Sequence, residues 1–92
     1  MPKVRTLEEI RSEMKHLLVD SLALEHVTAD EIADDEVLFG EGLGLDSLDA
    51  VEIVVLVQRN YGLEIVDEDE AREIFQSLDT LANWIHDRLQ AS

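Results

Sequence analysis

Leu7, Ile10, Met14, Leu17 and Leu18 return at helical steps along the chain, and Leu78, Leu81, Ala82, Ile85 and Leu89 do the same near its other end. Such spacing gathers each set on one side of an α-helix, whereas a strand needs strict alternation. Two helices with continuous apolar stripes are unstable alone in water. They must bury those stripes against each other or against further helices. Thr6 and Glu9 stand in capping-box spacing, so the first helix is expected from about Thr6 to Leu22. Ser77 is placed to cap the last one. Arg11 and Lys15 fall off the apolar stripe of the first.

Between these two helices the pattern changes twice. From Ala23 to Leu45 the periodicity fades and acids dominate: Glu25, Asp30, Glu31, Asp34, Asp35, Glu36 and Glu41. Gly40, Gly42 and Gly44 close the stretch. It reads as a long ordered loop, of the kind that often carries function. Leu24, Val27, Ile32, Val37, Leu38 and Phe39 are expected to pin it to the core. Asp46 to about Tyr61 then poses a choice. Ala50 to Val57 reads AVEIVVLV, and its β-branched residues favour a buried strand. Helix is the better reading. Asp46 is a good N-cap, Asp49 suits the positive end of a helix dipole, Asp49, Glu52, Arg59 and Asn60 recur at a helical interval, and Gly62 sits where a C-cap belongs. A short third helix follows from about Asp67 to Phe75, with acids in its first turn and Ala71, Ile74 and Phe75 as its apolar face. The chain of 92 residues is thus expected to form one all-α domain over 1–92. Its architecture is a four-helix bundle with three longer helices, one short third helix and a long loop between helices one and two.

Composition excludes several roles. Seven Lys and Arg stand against 22 Asp and Glu, a net charge of −15. Nucleic acid and anionic lipid both require cations, so neither is an expected partner, and basic protein surfaces are favoured instead. Cysteine is absent, which removes disulfides, thiolate metal sites and thiol nucleophiles. His16, His26 and His86 lack the spacing of a metal pair, and the carboxylate runs at Asp34–Glu36 and Asp67–Glu70 do not follow a calcium-loop template. No cation accompanies the glycines at Gly40–Gly44, so they form no phosphate cradle. No catalytic residue and no metal site is expected, and the chain is not read as an enzyme. The apolar run Ile53–Val57 is too short to span a membrane, and Met1–Ile10 is too polar for a secretion signal. A cytoplasmic, monomeric, free-standing protein is the expectation, the start at Met1 favouring a free chain.

The sharpest local feature is Leu43-Gly44-Leu45-Asp46-Ser47-Leu48-Asp49, a serine in the first turn of a helix after a glycine-containing loop. From His16 to Gln58 there is no Lys or Arg but 11 acids. The helix also carries more aliphatics than one buried face needs: Val51, Ile53, Val54, Val55, Leu56 and Val57. The eleven positions from Gly44 to Val54 resemble the phosphopantetheine attachment site of acyl carrier proteins. The resemblance continues through Tyr61-Gly62, Glu64-Ile65-Val66-Asp67 and the last two helices. It implies that Ser47 bears a covalent 4′-phosphopantetheine arm, transferred from coenzyme A by a magnesium-dependent phosphopantetheinyl transferase. It also implies that Asp46, Leu48, Asp49, Val51, Glu52 and Val55 form the face recognised by basic partners, namely acyl-transferring, ligating or condensing enzymes. Surplus aliphatics of helix two would line a slot for the acyl chain.

The chain departs from fatty-acid carriers in places. Gln58, Arg59 and Asn60 stand where acids are common, Val66 where proline is common, Glu73–Leu78 is slightly longer, and Gly40–Gly44 is unusually rich in glycine. These differences point to a specialised carrier of lipid or polyketide-type biosynthesis, in a secondary or modified-lipid pathway. A peptidyl or D-alanyl carrier with aminoacyl cargo is the related alternative, and an unmodified acidic adaptor with no need of Ser47 is the alternative from another class. The charge makes its own prediction. Self-repulsion destabilises the compact state, and salt screens it over about 8–10 Å. The melting temperature at neutral pH should rise with sodium chloride and rise further with millimolar magnesium or calcium. A flat response to both would mean that packing overrides the charge.

Overall fold

A computed structural model describes residues 6–40 and 42–91. The Met1–Arg5 part of the polar start and Glu41 of the loop acids lie outside the described residues. Among the described residues four α-helices run in order: α1 (Leu7–Ser21), α2 (Ser47–Tyr61), α3 (Glu68–Ile74) and α4 (Leu78–Ala91). A 3-10 turn at Ala29–Glu31 is embedded in the α1–α2 loop. Among the described residues there is no named strand, only isolated bridges between Val37 and Ser77 and between Phe39 and Leu45. The all-α expectation holds.

Each helix begins where a side chain meets its unsatisfied amides. Thr6 accepts from the Glu9 amide at 3.1 Å, and Glu9 accepts from the Thr6 amide at 3.0 Å. Ser77 Oγ and Thr80 Oγ1 exchange the same pair of bonds at the start of α4, at 3.1 and 3.0 Å. α1 ends without glycine: Ala23 adopts a left-handed φ of 51°, and the Leu24 amide reaches back to the Val19 carbonyl at 3.1 Å. α2 is helical in spite of five β-branched residues between Val51 and Val57. Each lowers helix propensity by only a few tenths of a kcal/mol. Burial of Ile53, Leu56 and Val57 outweighs that, because each fully buried side chain contributes about 1.5–3 kcal/mol.

The apolar stripes of α1 and α4 pack along one another, and α2 touches both. The centre of the core is Ile10, Met14 and Leu18 of α1, Ile53 and Val57 of α2, and Leu78, Leu81, Ala82 and Ile85 of α4. Arg11 and Lys15, off the α1 stripe, tie the surroundings down: Arg11 Nη2 pairs with Asp79 at 2.7 Å and Lys15 Nζ with Asp34 at 2.8 Å. The Lys15 hydrogen bond holds the Asp34 carboxyl below the usual carboxylate range. At the far end of α2, the Tyr61 hydroxyl donates to Glu13 at 2.7 Å.

α3 packs on α4 and makes no comparable contact with α2. Trp84 Nε1 of α4 donates to Glu70 at 3.2 Å, and Arg88, stacked 5.1 Å above the Trp84 ring, reaches the same carboxylate at 3.4 Å. The two helices flanking this corner, α2 and α3, therefore stand apart.

The long loop is pinned by most of its expected anchors. Ile32 and Leu38 are buried, while Leu24, Val27 and Phe39 pack half-buried against the core. Val37 does not: its side chain is 51% exposed. In the extended stretch 37–39, side chains alternate, so turning Leu38 inward turns Val37 outward. The Val37 backbone does the anchoring instead, its carbonyl accepting from the Leu43 amide at 2.9 Å. Gly42 makes that close approach possible, because a Cβ there would lie 1.6 Å from the Val37 oxygen. Gly62 ends α2 with a φ of 68° in open space. Gly42→Ala should therefore destabilise by about 3 kcal/mol or more through overpacking against backbone. Gly62→Ala should lose only about 1–2 kcal/mol of left-handed strain. Denaturant midpoints of the two variants check the order, and equal losses would show that the loop yields at Gly42.

Candidate functional site

The loop delivers the chain to α2 through two buried leucines. Leu43 and Leu45 sink into the core on either side of Gly44, whose φ is 74°, and the Leu45 amide donates to the Leu38 carbonyl at 3.1 Å. Asp46 then caps the helix. One carboxylate oxygen accepts from the Leu48 amide at 3.0 Å and the Asp49 amide at 3.1 Å. Asp49 returns the bond, accepting from the Asp46 amide at 3.0 Å. Ser47 is thus the first residue of a helix fixed on both sides. It is exposed, and it is not used in the cap that surrounds it.

Ser47 opens onto a cleft of about 690 Å³ between α2, α3 and the 37–39 stretch. Val51 and Val54 of α2 form one wall, Ala71 of α3 and its C-cap Phe75 a second, and Val37 and Phe39 a third. The rings of Phe39 and Phe75 lie 6.3 Å apart, tilted by 38°. Among the residues lining the cleft, Ser47 alone bears a hydroxyl. Glu68, Arg72 and Gln76 supply the other polar groups.

The remaining sequence-selected residues divide in two. Leu48, Glu52 and Val55 fall on one stripe of α2, with Leu48 76% and Glu52 openly exposed and Val55 half-buried. Val51, 61% exposed, stands between that stripe and the cleft. Asp46 and Asp49 are occupied by the cap, and Asp49 is half-buried. The α2 aliphatics were legible as surplus, but the opposite wall was not, because the apolar face of α3 looks like ordinary core. Its signal is the Ala71–Phe75 spacing on a helix too short to need a third contact. Among the described residues no cluster of His, Asp or Glu can hold a metal. The His16 Nδ1 lies 2.9 Å from the Ser12 carbonyl instead. Also among the described residues, no helix is long and apolar enough to cross a membrane.

Comparison with known proteins decides the family. Residues 16–86 match the family described as "Phosphopantetheine attachment site". The acyl carrier protein of Nitratidesulfovibrio vulgaris strain DP4 is 33% identical over 72 residues, covering 78% of this chain and 88% of that protein. Its counterpart in strain Miyazaki F is 33% identical over 73 residues, covering 79% and 90%. The chain belongs to the phosphopantetheine-binding acyl carrier family. Its cofactor is 4′-phosphopantetheine, held covalently. The site fits such a group: an exposed hydroxyl at a helix N-terminus, where amides and dipole favour phosphate, borders a cleft with apolar walls.

The two acids of the carrier's α2 differ in a testable way. Asp49→Lys removes half of the capping box and sets a cation at the positive end of the dipole, so it should destabilise by about 1 kcal/mol. Glu52→Lys, on the open stripe, should stay within about 0.5 kcal/mol of the parent. Thermal unfolding of both variants checks this, and equal losses would show that Asp49 does not support the cap.

Proposed function

We propose that Ser47 is the attachment residue and that the chain carries acyl intermediates to the enzymes of a specialised lipid or polyketide-type pathway. One observation carries this reading: the single hydroxyl on the apolar cleft stands exposed at the start of a capped helix. In the transferase, Ser47 Oγ attacks the pantetheine-side phosphorus of coenzyme A. The Oγ–P bond forms, the pyrophosphate P–O bond breaks, the hydroxyl proton passes to a base of the transferase, and adenosine 3′,5′-bisphosphate leaves. Once attached, the arm supplies a terminal thiol that holds acyl groups as thioesters, a function this cysteine-free chain has no side chain to perform. Val51, Val54, Ala71 and Phe75 shelter the apolar part of the cargo. Leu48, Glu52 and Val55 present a mixed apolar and acidic stripe to basic partner enzymes, with Asp46 and Asp49 adding charge at its head. Residues 1–92 act as one carrier domain, a reading supported by the core that α1 and α4 share, and the carrier works as a cytoplasmic monomer.

Incubation with coenzyme A, magnesium and a broad-specificity transferase should add one phosphopantetheine to the protein, and Ser47→Ala should add none. Glu52→Lys should be modified several-fold more slowly, and added salt should slow the parent through weaker encounter. An unchanged intact mass of the parent, beside a control carrier labelled in the same reaction, overturns the assignment.

A further inference from the structure

Among the described residues there are five Lys and Arg, and three of them are in ion pairs. Arg11 is paired with Asp79, Lys15 with Asp34, and Arg88 with Glu70 and the Trp84 ring. Arg72 is different. It lines the cleft beside Ala71 and Phe75 and has no ion-pair partner among the described residues. Glu68, one helical turn earlier and on the same cleft, makes no ion pair with it. A guanidinium is always charged and offers its donors in a planar fork that matches a carboxylate. Sharing the cleft lining with it are the apolar side chains of Val51, Val54, Phe39 and Phe75. Cargo that fills this space displaces the water around the guanidinium, and a charge that loses water needs an anion in its place. The body as a whole repels anions, with a net charge of −15.

We propose that Arg72 makes the cleft selective for acyl chains that end in a carboxylate, the thioester at one end and the anion against the guanidinium at the other. A saturated chain gains only apolar contact from the same walls. A carboxylated chain gains that contact and a charge-assisted hydrogen bond, which offsets the repulsion of the surrounding acids. Gln76, in the same lining, adds an amide donor. The proposal rests on attachment at Ser47.

The test compares hexanoyl and adipoyl groups, which share a carbon count and differ in the terminal carboxylate. Each is loaded from its coenzyme A thioester by the transferase, and intact mass confirms loading. Failure to load Ser47 refutes the attachment reading before any comparison of cargo is made, so the two failures are distinct. Thioester cleavage by hydroxylamine then measures shelter. The adipoyl group should be cleaved about two- to five-fold more slowly on the parent than on Arg72→Ala or Arg72→Gln, the range of an exposed ion pair. Arg72→Lys should keep part of the protection, and molar salt should abolish it. Hexanoyl should be cleaved at one rate on the parent and on both neutral variants. Adipoyl cleavage indifferent to Arg72 overturns the proposal. So does an equal change for both cargoes, which would place Arg72 on the arm's phosphodiester or make its stem mere packing.

Discussion

Burial of the α4 stripe against α1 supplies the fixed frame of this molecule. Leu78, Leu81, Ala82 and Ile85 are wholly removed from water, as are Ile10, Met14 and Leu18. At about 25 cal/mol per Å² of apolar surface, no other seam in so small a chain contributes as much. The other three α-helices all contact α4. The Leu78 amide takes the Glu36 carbonyl at 2.9 Å, which fixes the end of the acidic loop. Thr80 Oγ1 donates to the Ile74 carbonyl at 2.7 Å, which fixes the end of α3. Asp79 receives Arg11 from α1.

That frame explains the cleft. α3 is committed to α4 by the Glu70–Trp84–Arg88 cluster, and α2 reaches α4 from another side. With both helices anchored to a common third, nothing draws their facing surfaces together. Val51, Val54, Ala71 and Phe75 are left lining a space that their own packing does not close. An apolar cleft kept open by anchoring elsewhere is ready for a ligand without rearrangement of the core, and the walls can flex because neither depends on the other.

How much of this could be read from the residues depended on the range of the interaction. Thr6 with Glu9, Asp46 with Asp49, and Gly62 are signals within one helical turn, and each cap forms as its spacing predicts. The α2 choice between helix and strand was also settled locally, by caps at both ends of a β-branched run. Val37 failed because its place depends on pairing at a distance, to Leu43 and Ser77, which no local pattern announces. The cleft was half legible for the same reason. Surplus on α2 can be counted along the chain, but the gap between α2 and α3 arises from what each does with α4. Arg72 is one of several dispersed charges in the sequence, and only the structure, through its place in the lining and the absence of an ion pair among the described residues, separates it from Arg11 and Arg88.

Two electrostatic scales then act on one small surface. The acidic tract from His16 to Gln58, with 11 acids and no Lys or Arg, creates a field that extends to roughly a Debye length, about 8–10 Å in physiological salt. A field of that reach acts on whole proteins and favours approach of basic surfaces over acidic ones. Acting alone it repels a carboxylated cargo and leaves an uncharged one untouched, so it cannot favour the carboxylate. Discrimination needs a group at contact distance with a sign opposite to its surroundings. Within the cleft lining only Arg72 meets that condition, and with no ion-pair partner among the described residues its charge is available. On the proposed reading partner choice and cargo choice are separable: the first would rest with the acids of α2 and its approach loop, the second with one cation on α3.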